Sequence, residues 1–280
     1  MRRRLIYADS RRWAEIALNA EELMNTGDFS LGKNEGRVCA GVLKLEGASP
    51  AFVKRAETRS APHGMWERVR GSRARRALRG AALLKAAGFA HPRPYGAIET
   101  LSAFGGVSAS HLLNEALVNS RTLSVFGLGS RGELRRDMAR RLRITKAVAK
   151  EVRRLHDAGL YTLDLQETNL MLEEDSAGFR IYFIDLEDIR RGRISMRRRL
   201  INLVHLDRSI GRFIGRAGRL RFLYSYLGEK PGRAETRRLI ARLLAMRANL
   251  KRRSERKRER ASSIILTAPR SPSGESVISR

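Results

Sequence analysis

Cysteine occurs once in this chain of 280 residues, at Cys39, which excludes an internal disulfide and suits a reducing compartment. It lies within the apolar run VCAGVL and reads as a small buried core residue. Aromatic residues make up 6% of the chain and do not interleave with its basic runs, which argues against a stacking platform for single-stranded nucleic acid. Neither a zinc-finger nor an RNP pattern is present. No apolar run approaches the roughly 18 residues of a membrane span. The start, MRRRLIYADSRRW, has only LIYA behind its basic residues, too little for the core of a signal peptide. Acidic residues are the scarce charge: 29 Asp plus Glu face 57 Lys plus Arg, a formal net charge of +28.

The basic excess is mostly arginine, in runs such as RRR at 2–4, RARR at 73–76, RRDMARRLR at 135–143 and KRRSERKRER at 251–260. A field of this sign draws anionic partners: nucleic acid, anionic lipid headgroups or phosphorylated glycans. Sign alone does not choose among them. With 42% hydrophobic and 31% charged residues, the composition is that of a soluble globular protein. The length allows one two-lobed domain or two small ones.

Periodicity divides the chain into a helical lead-in at 1–26, a β-rich segment at 27–118, a helical segment at 119–250 and a basic tail at 251–280 that reads as disordered. Strands are predicted at 38–45 and 51–56 around the turn EGASP, and again at 95–98 and 107–113. A helix is predicted over 72–87, opened by Ser72 and closed by Gly88. A longer one is predicted over 133–158, with Leu134, Met138, Leu142, Thr145, Val148, Val152 and Leu155 on one face and Gly159 as its stop. Further helices are predicted near 195–208, 212–227 and 233–250.

The chemistry concentrates in LHDAGLYTLDLQETNLMLEEDSAGFRIYFIDLED, from Leu155 onward. Asp164 is followed five positions later by Asn169, then by two β-prone segments around the turn DSAG, and the second segment ends at Asp185. Phosphoryl transfer needs such groups in this order: a carboxylate for the acceptor hydroxyl, then an amide and a carboxylate for magnesium. A loop turn at 164–169 with Asp185 capping a strand is the plainer account, and the helix–loop–hairpin context speaks against it. Upstream, AFVKRA sets Lys54 inside a strand, the context of a lysine that meets ATP phosphates, although an edge-strand surface lysine gives the same pattern. LGKNEGRV offers Gly32 and Gly36 as a phosphate-covering turn, without the full G-x-G-x-x-G, and a plain β-turn accounts for them equally. Residues 115–118 fall where a connection between lobes would bring Glu115 and Val118 near an adenine.

In this order, strand lysine, helix, Asp164 loop and Asp185 resemble the protein-kinase-like fold, and within it the bacterial lipopolysaccharide kinase (Kdo/WaaP) family. PAFVKRA, SRARRALRGAALLKAAGFAHPRPYG, INLVHLDRSI and RLRFLYSYLG add to the resemblance, which covers about residues 31–228. It implies an α+β fold with a small β-rich N-lobe, a larger helical C-lobe and an ATP cleft between them. It also implies Asp164 as catalytic aspartate, Asn169 and Asp185 as magnesium ligands, and Lys54 as phosphate lysine. ATP, magnesium and an anionic core glycolipid at the cytoplasmic face of the inner membrane follow from it, with peripheral attachment to the anionic surface. Two departures stand out. The family's helix glutamate falls on Ala77, which makes that position the one on which competence turns; Glu67 and Glu57 are the candidate substitutes, and their spacing gives no positive reason to expect either. Thr162 replaces the histidine before the catalytic aspartate, and the triplet opened by Asp185 is Asp-Leu-Glu. The alternatives are a pseudokinase that binds anionic glycolipid and a phosphotransferase with another acceptor; a nucleic-acid-binding protein rests on charge alone.

Overall fold

The computed structural model describes residues 2–128, 137–176, 178–210, 214–228 and 231–267. The chain divides into two units, 1–230 and 231–280. The first is a mixed α+β body with an N-terminal sheet lobe and a C-terminal helical lobe.

The sheet lobe is built on six antiparallel strands: β1 (Arg2–Ala8), β2 (Phe29–Glu35), β3 (Val38–Leu45), β4 (Ala48–Glu57), β5 (Pro94–Leu101) and β6 (Val107–Glu115), in the spatial order β1-β5-β6-β4-β3-β2. The lead-in is thus not wholly helical. Residues 2–8 add an edge strand to β5 before α1 (Arg11–Leu18) and α2 (Ala20–Leu23) begin. These two short helices close one face of the sheet. Ala17 and Ala20 pack there on Leu43, Val53, Ile98 and Leu113, and Trp13 stacks on Tyr95 at 4.2 Å between ring centres. Side chains alternate across a strand, so with Val53 in this core its neighbour Lys54 faces the other side of the sheet. Cys39 on β3 is partly exposed, not fully buried as its apolar surroundings suggest.

Two helices follow β4: α3 (Ala61–Arg70) and α4 (Arg73–Ala86). Ser72 accepts a hydrogen bond from the Arg75 N–H and caps α4, where the sequence places its start. The helical lobe begins with β7 (Arg121–Thr122) and α5 (Leu123–Leu128) and is organised around α6 (Met138–Asp157). The predicted first turn of that helix, at 133–136, lies outside the described residues. After α6 come β8 (Leu160–Thr162), a 3-10 turn at Glu167–Asn169, the hairpin β9 (Leu170–Asp175) and β10 (Gly178–Phe183), a second 3-10 turn at Leu186–Asp188 and β11 (Ile189–Arg191). α7 (Met196–Ile210) and α8 (Arg216–Leu227) complete the unit.

In the second unit, α9 (Arg233–Thr267) runs through Lys251, where the sequence reading begins a disordered tail. Its remainder, 268–280, lies outside the described residues. Arginine and lysine have high helix propensity, which explains how an apolar-poor segment continues a helix that starts upstream. Among the described residues no helix is long and apolar enough to cross a membrane.

Candidate functional site

The Asp164 loop leaves β8 and is braced mainly by uncharged hydrogen bonds. Thr162, standing where a histidine is expected, accepts the Asp164 N–H on its Oγ1 at 3.2 Å. Its carbonyl accepts Asn202 Nδ2 at 2.8 Å from α7. Asn202 Oδ1 in turn meets His156 Nε2 at 3.1 Å, and His156 Nδ1 meets the Tyr226 hydroxyl at 2.8 Å. His156, Asn202 and Tyr226 are all buried, which ties α6, α7 and α8 to the base of the loop. Burial of the His156 ring pushes its pKa down to about 4, so the imidazole is neutral at pH 7. Asp164 itself, on the exposed side, accepts a hydrogen bond from Gln166 and lies 4.0 Å from His205 Nδ1.

Asn169 closes the same loop, donating Nδ2 to the Asp164 carbonyl at 2.9 Å. The hairpin then returns the chain. Leu170 pairs with Phe183, and the Ile184 N–H bonds the Asn169 carbonyl at 3.1 Å, so Asp185 emerges one residue past Asn169's partner. Leu163 N–H bonds the Asp188 carbonyl, and β8 pairs with β11, fixing the turn after Asp185 to the loop before Asp164.

Lys54 reaches this corner from the sheet lobe. Its Nζ lies 3.6 Å from Asp185 Oδ1 and 2.9 Å from Glu187 Oε1. Arg73 and Arg76, from α4, each approach Glu187 at 3.7 Å. Burial works against the Lys54 ammonium, but the charges of Glu187 and Asp185 outweigh it and hold its pKa above the usual lysine value. Asp185 shifts upward because it is buried, and Glu187, Asp188 and Asp164 add to the shift against the opposing pull of Lys54. Asp188 moves the same way for the same main reason.

This crowd of carboxylates has the oxygen chemistry that a magnesium ion takes. A hard divalent cation takes oxygen ligands and would offset both the burial that raises Asp185 and Asp188 and the repulsion that adds to it. With its amide nitrogen committed to the Asp164 carbonyl, the polar atom left on Asn169 is its oxygen, the atom such a cation takes. Among the described residues no group of three or more His, Cys, Asp or Glu forms a self-sufficient metal cage.

The other candidate residues sit farther along the sheet. Gly32 lies in β2 at a register break opposite β3, and Gly36, at φ 60°, makes the turn into β3. In the register of the sheet, Lys33 pairs with Ala40 and Ala40 with Lys54, so this hairpin flanks the lysine two strands away. Glu115 ends β6, and its N–H bonds the Arg93 carbonyl at 2.8 Å. The Val118 N–H bonds the Ala116 carbonyl at 2.9 Å, so an adenine would have to displace that bond to use it.

Glu187, Asn202, His156, Tyr226, His205 and Gln166 escaped the sequence reading. Glu187 carried a signal, as the charged third residue of the triplet. Asn202 carried none, because its role depends on a helix that begins more than thirty residues beyond Asp164.

The family model described as "Lipopolysaccharide kinase (Kdo/WaaP) family" matches residues 64–226. The solved structure of WaaP in complex with acyl carrier protein superposes with a TM-score of 0.63 at 24% identity, covering 90% of this chain and 98% of that one. Looser likenesses are a mutant of the Neurospora crassa PAN3 pseudokinase (TM-score 0.44, 14% identity, 93% and 76% covered) and the Chaetomium thermophilum Rio2 kinase in its ADP/Mg2+-phosphoaspartate complex (0.45, 14%, 80% and 65%). At those scores neither bears on function. No curated protein matches the chain. The matched segment spans more than half of the chain and includes Asp164, Asn169 and Asp185, and the two-lobed fold agrees with it: the chain belongs to the lipopolysaccharide kinase (Kdo/WaaP) family and has a protein-kinase-like fold.

Proposed function

We propose that this protein is an ATP-dependent kinase that phosphorylates a sugar hydroxyl, of Kdo or heptose, in a lipopolysaccharide core at the cytoplasmic face of the inner membrane. The observation that carries the reading is the meeting of Lys54 with Asp185, 3.6 Å apart, beside a loop in which Asn169 is bonded to Asp164. Asp164 accepts the proton of the acceptor hydroxyl as its oxygen bonds the γ-phosphorus and the bond from that phosphorus to the β–γ bridging oxygen breaks, releasing ADP. Lys54 steadies the α- and β-phosphates, and the Gly32–Gly36 hairpin covers them. Glu115 and Val118 border the adenine. Asn169 and Asp185 would hold magnesium, which when bound neutralises charge on the phosphates.

Family membership supports this acceptor class, and the +28 charge is compatible with it. An anionic glycolipid in an anionic membrane suits this surface, each nearby Lys or Arg adding about 1 kcal/mol, falling off within a Debye length of about 8 Å at physiological salt. Vesicles containing anionic lipid should therefore bind the protein at low ionic strength and release it in high salt; release by detergent alone would contradict an electrostatic, peripheral attachment.

The deciding experiment measures phosphate transfer from ATP to purified core glycolipid beside Asp164→Ala. Glycolipid-dependent turnover that vanishes in the variant supports the reading. Equal turnover with and without glycolipid removes the acceptor, and no turnover with no magnesium–ATP effect on the melting temperature removes the kinase.

A further inference from the structure

A kinase reading asks α4 for a carboxylate that orients the phosphate lysine, and α4 has none facing Lys54. We propose, resting on that reading, that Glu187 is the positioning residue for Lys54: the carboxylate has moved from the helix to the turn after Asp185. Glu187 Oε1 lies 2.9 Å from Lys54 Nζ, closer than Asp185 does. Arg73 approaches the same oxygen and Arg76 the other one, each at 3.7 Å, so both oxygens of a side chain that is 13% exposed face cations. The neighbouring glutamates are engaged elsewhere: Glu67 accepts from the Thr58 hydroxyl, and Glu57 pairs with Arg55 at 2.9 Å.

The shape of α4 explains how the turn comes within reach. Arg73, Arg76, Ala77 and Gly80 follow the three- and four-residue spacing of one helix face. A Cβ at Gly80 would collide with the Leu186 carbonyl and lie 3.2 Å from Ile189 Cβ. Ala77, also buried, precedes it by one turn of helix. The same short side chains that remove the helix glutamate therefore let the 186–188 backbone dock on the helix, with Glu187 at its arginine end. On this account Ala77 is a clearance, and Ala77→Glu lowers activity by crowding the turn rather than restoring it.

Two arms test this. Without nucleotide, urea unfolding of Lys54→Met, Glu187→Gln and the double variant measures the pair directly. The double variant should lose no more stability than the worse single one; losses that simply add would overturn the pairing. With ATP and glycolipid, Glu187→Gln should lower kcat about tenfold or more with the magnesium concentration for half-maximal rate unchanged, and Glu187→Asp should recover part of it. A raised magnesium requirement would make Glu187 a metal ligand instead and overturn its role as a positioning residue, as would wild-type kinetics in Glu187→Gln. If the wild type transfers no phosphate, the kinase reading fails, while the unfolding cycle still decides whether Glu187 holds Lys54.

Discussion

The two halves of the candidate site are held by different forces. The Asp164 loop rests on a buried neutral chain, Thr162–Asn202–His156–Tyr226, with bonds of 2.8 to 3.1 Å linking α6, α7 and α8. The Lys54 corner is a cluster of charges, Lys54, Arg73 and Arg76 against Asp185 and Glu187, joining α4 and the sheet to the turn after Asp185. A neutral network in the interior is stiff because each unmade bond there costs the desolvation of a polar group. A charged cluster that is partly open to water rearranges at a smaller cost, because water takes over the contacts it gives up. On the proposed kinase reading, the half that carries Asp164 is thus the fixed one, and the half assigned to the phosphates is the adjustable one.

The largest effect should come from the fixed half. Asp164→Ala should lower phosphate transfer by about a hundredfold to ten-thousandfold. Its urea midpoint should stay near that of the wild type, since the side chain is 41% exposed and the brace bonds the backbone around it. Unfolding together with inactivation would show that Asp164 is part of the brace.

Acid should break the neutral half next. The folded pKa of His156, about 4, lies below its ordinary 6.5, so the unfolded state takes up the proton first. The stability it contributes is complete above pH 6.5 and is lost as pH falls through about 4, on the order of 3 kcal/mol. His111, buried in the sheet lobe with its pKa also pushed down to about 4, adds a loss of the same sign. Urea unfolding across this window should slope downward with acid, and His156→Gln should flatten the slope. An unchanged slope in that variant would assign the loss to His111 and the carboxylates.

Gly80→Ala probes the docking of α4 on the turn. Its methyl group would meet the Leu186 carbonyl, so about 1–3 kcal/mol of stability should go, although alanine is the better helix former. A stabilised variant would mean that the helix and turn separate freely.

The smallest effect should be Arg73→Gln. Arg73 is 42% exposed and 3.7 Å from Glu187, so its loss should cost less than about 1 kcal/mol, and the cost should shrink in high salt. A salt-independent loss would place Arg73 in a drier site than its exposure indicates.

Much of this was legible in the residues. Apolar alternation gives β3 to β6, and Ser72 and Gly88 bracket α4. The order Lys54, Asp164, Asn169, Asp185 marks the residues that meet at one corner, because they lie on local elements whose spacing is set by helix and strand geometry. The strand at 2–8 was hidden, since RRRLIYA has little alternation of its own and becomes a strand by pairing with β5. The helix past Lys251 was hidden as well, because composition reports the lack of a core to bury and not the propensity of arginine for helix.

What the sequence determined by itself is the set of candidate groups and their order along the chain. Which carboxylate would face Lys54, and what would hold Asp164 still, were decided only by tertiary structure. Lys54 and Glu187 are 133 positions apart, and Asn202 lies forty beyond the carbonyl it bonds. Local periodicity says which face of an element is buried; it carries no information about which distant polar group will be waiting there. That pairing is settled when buried donors and charges must find partners within reach, and here the absence of a side chain at Gly80 admits the turn that brings Glu187 to the lysine.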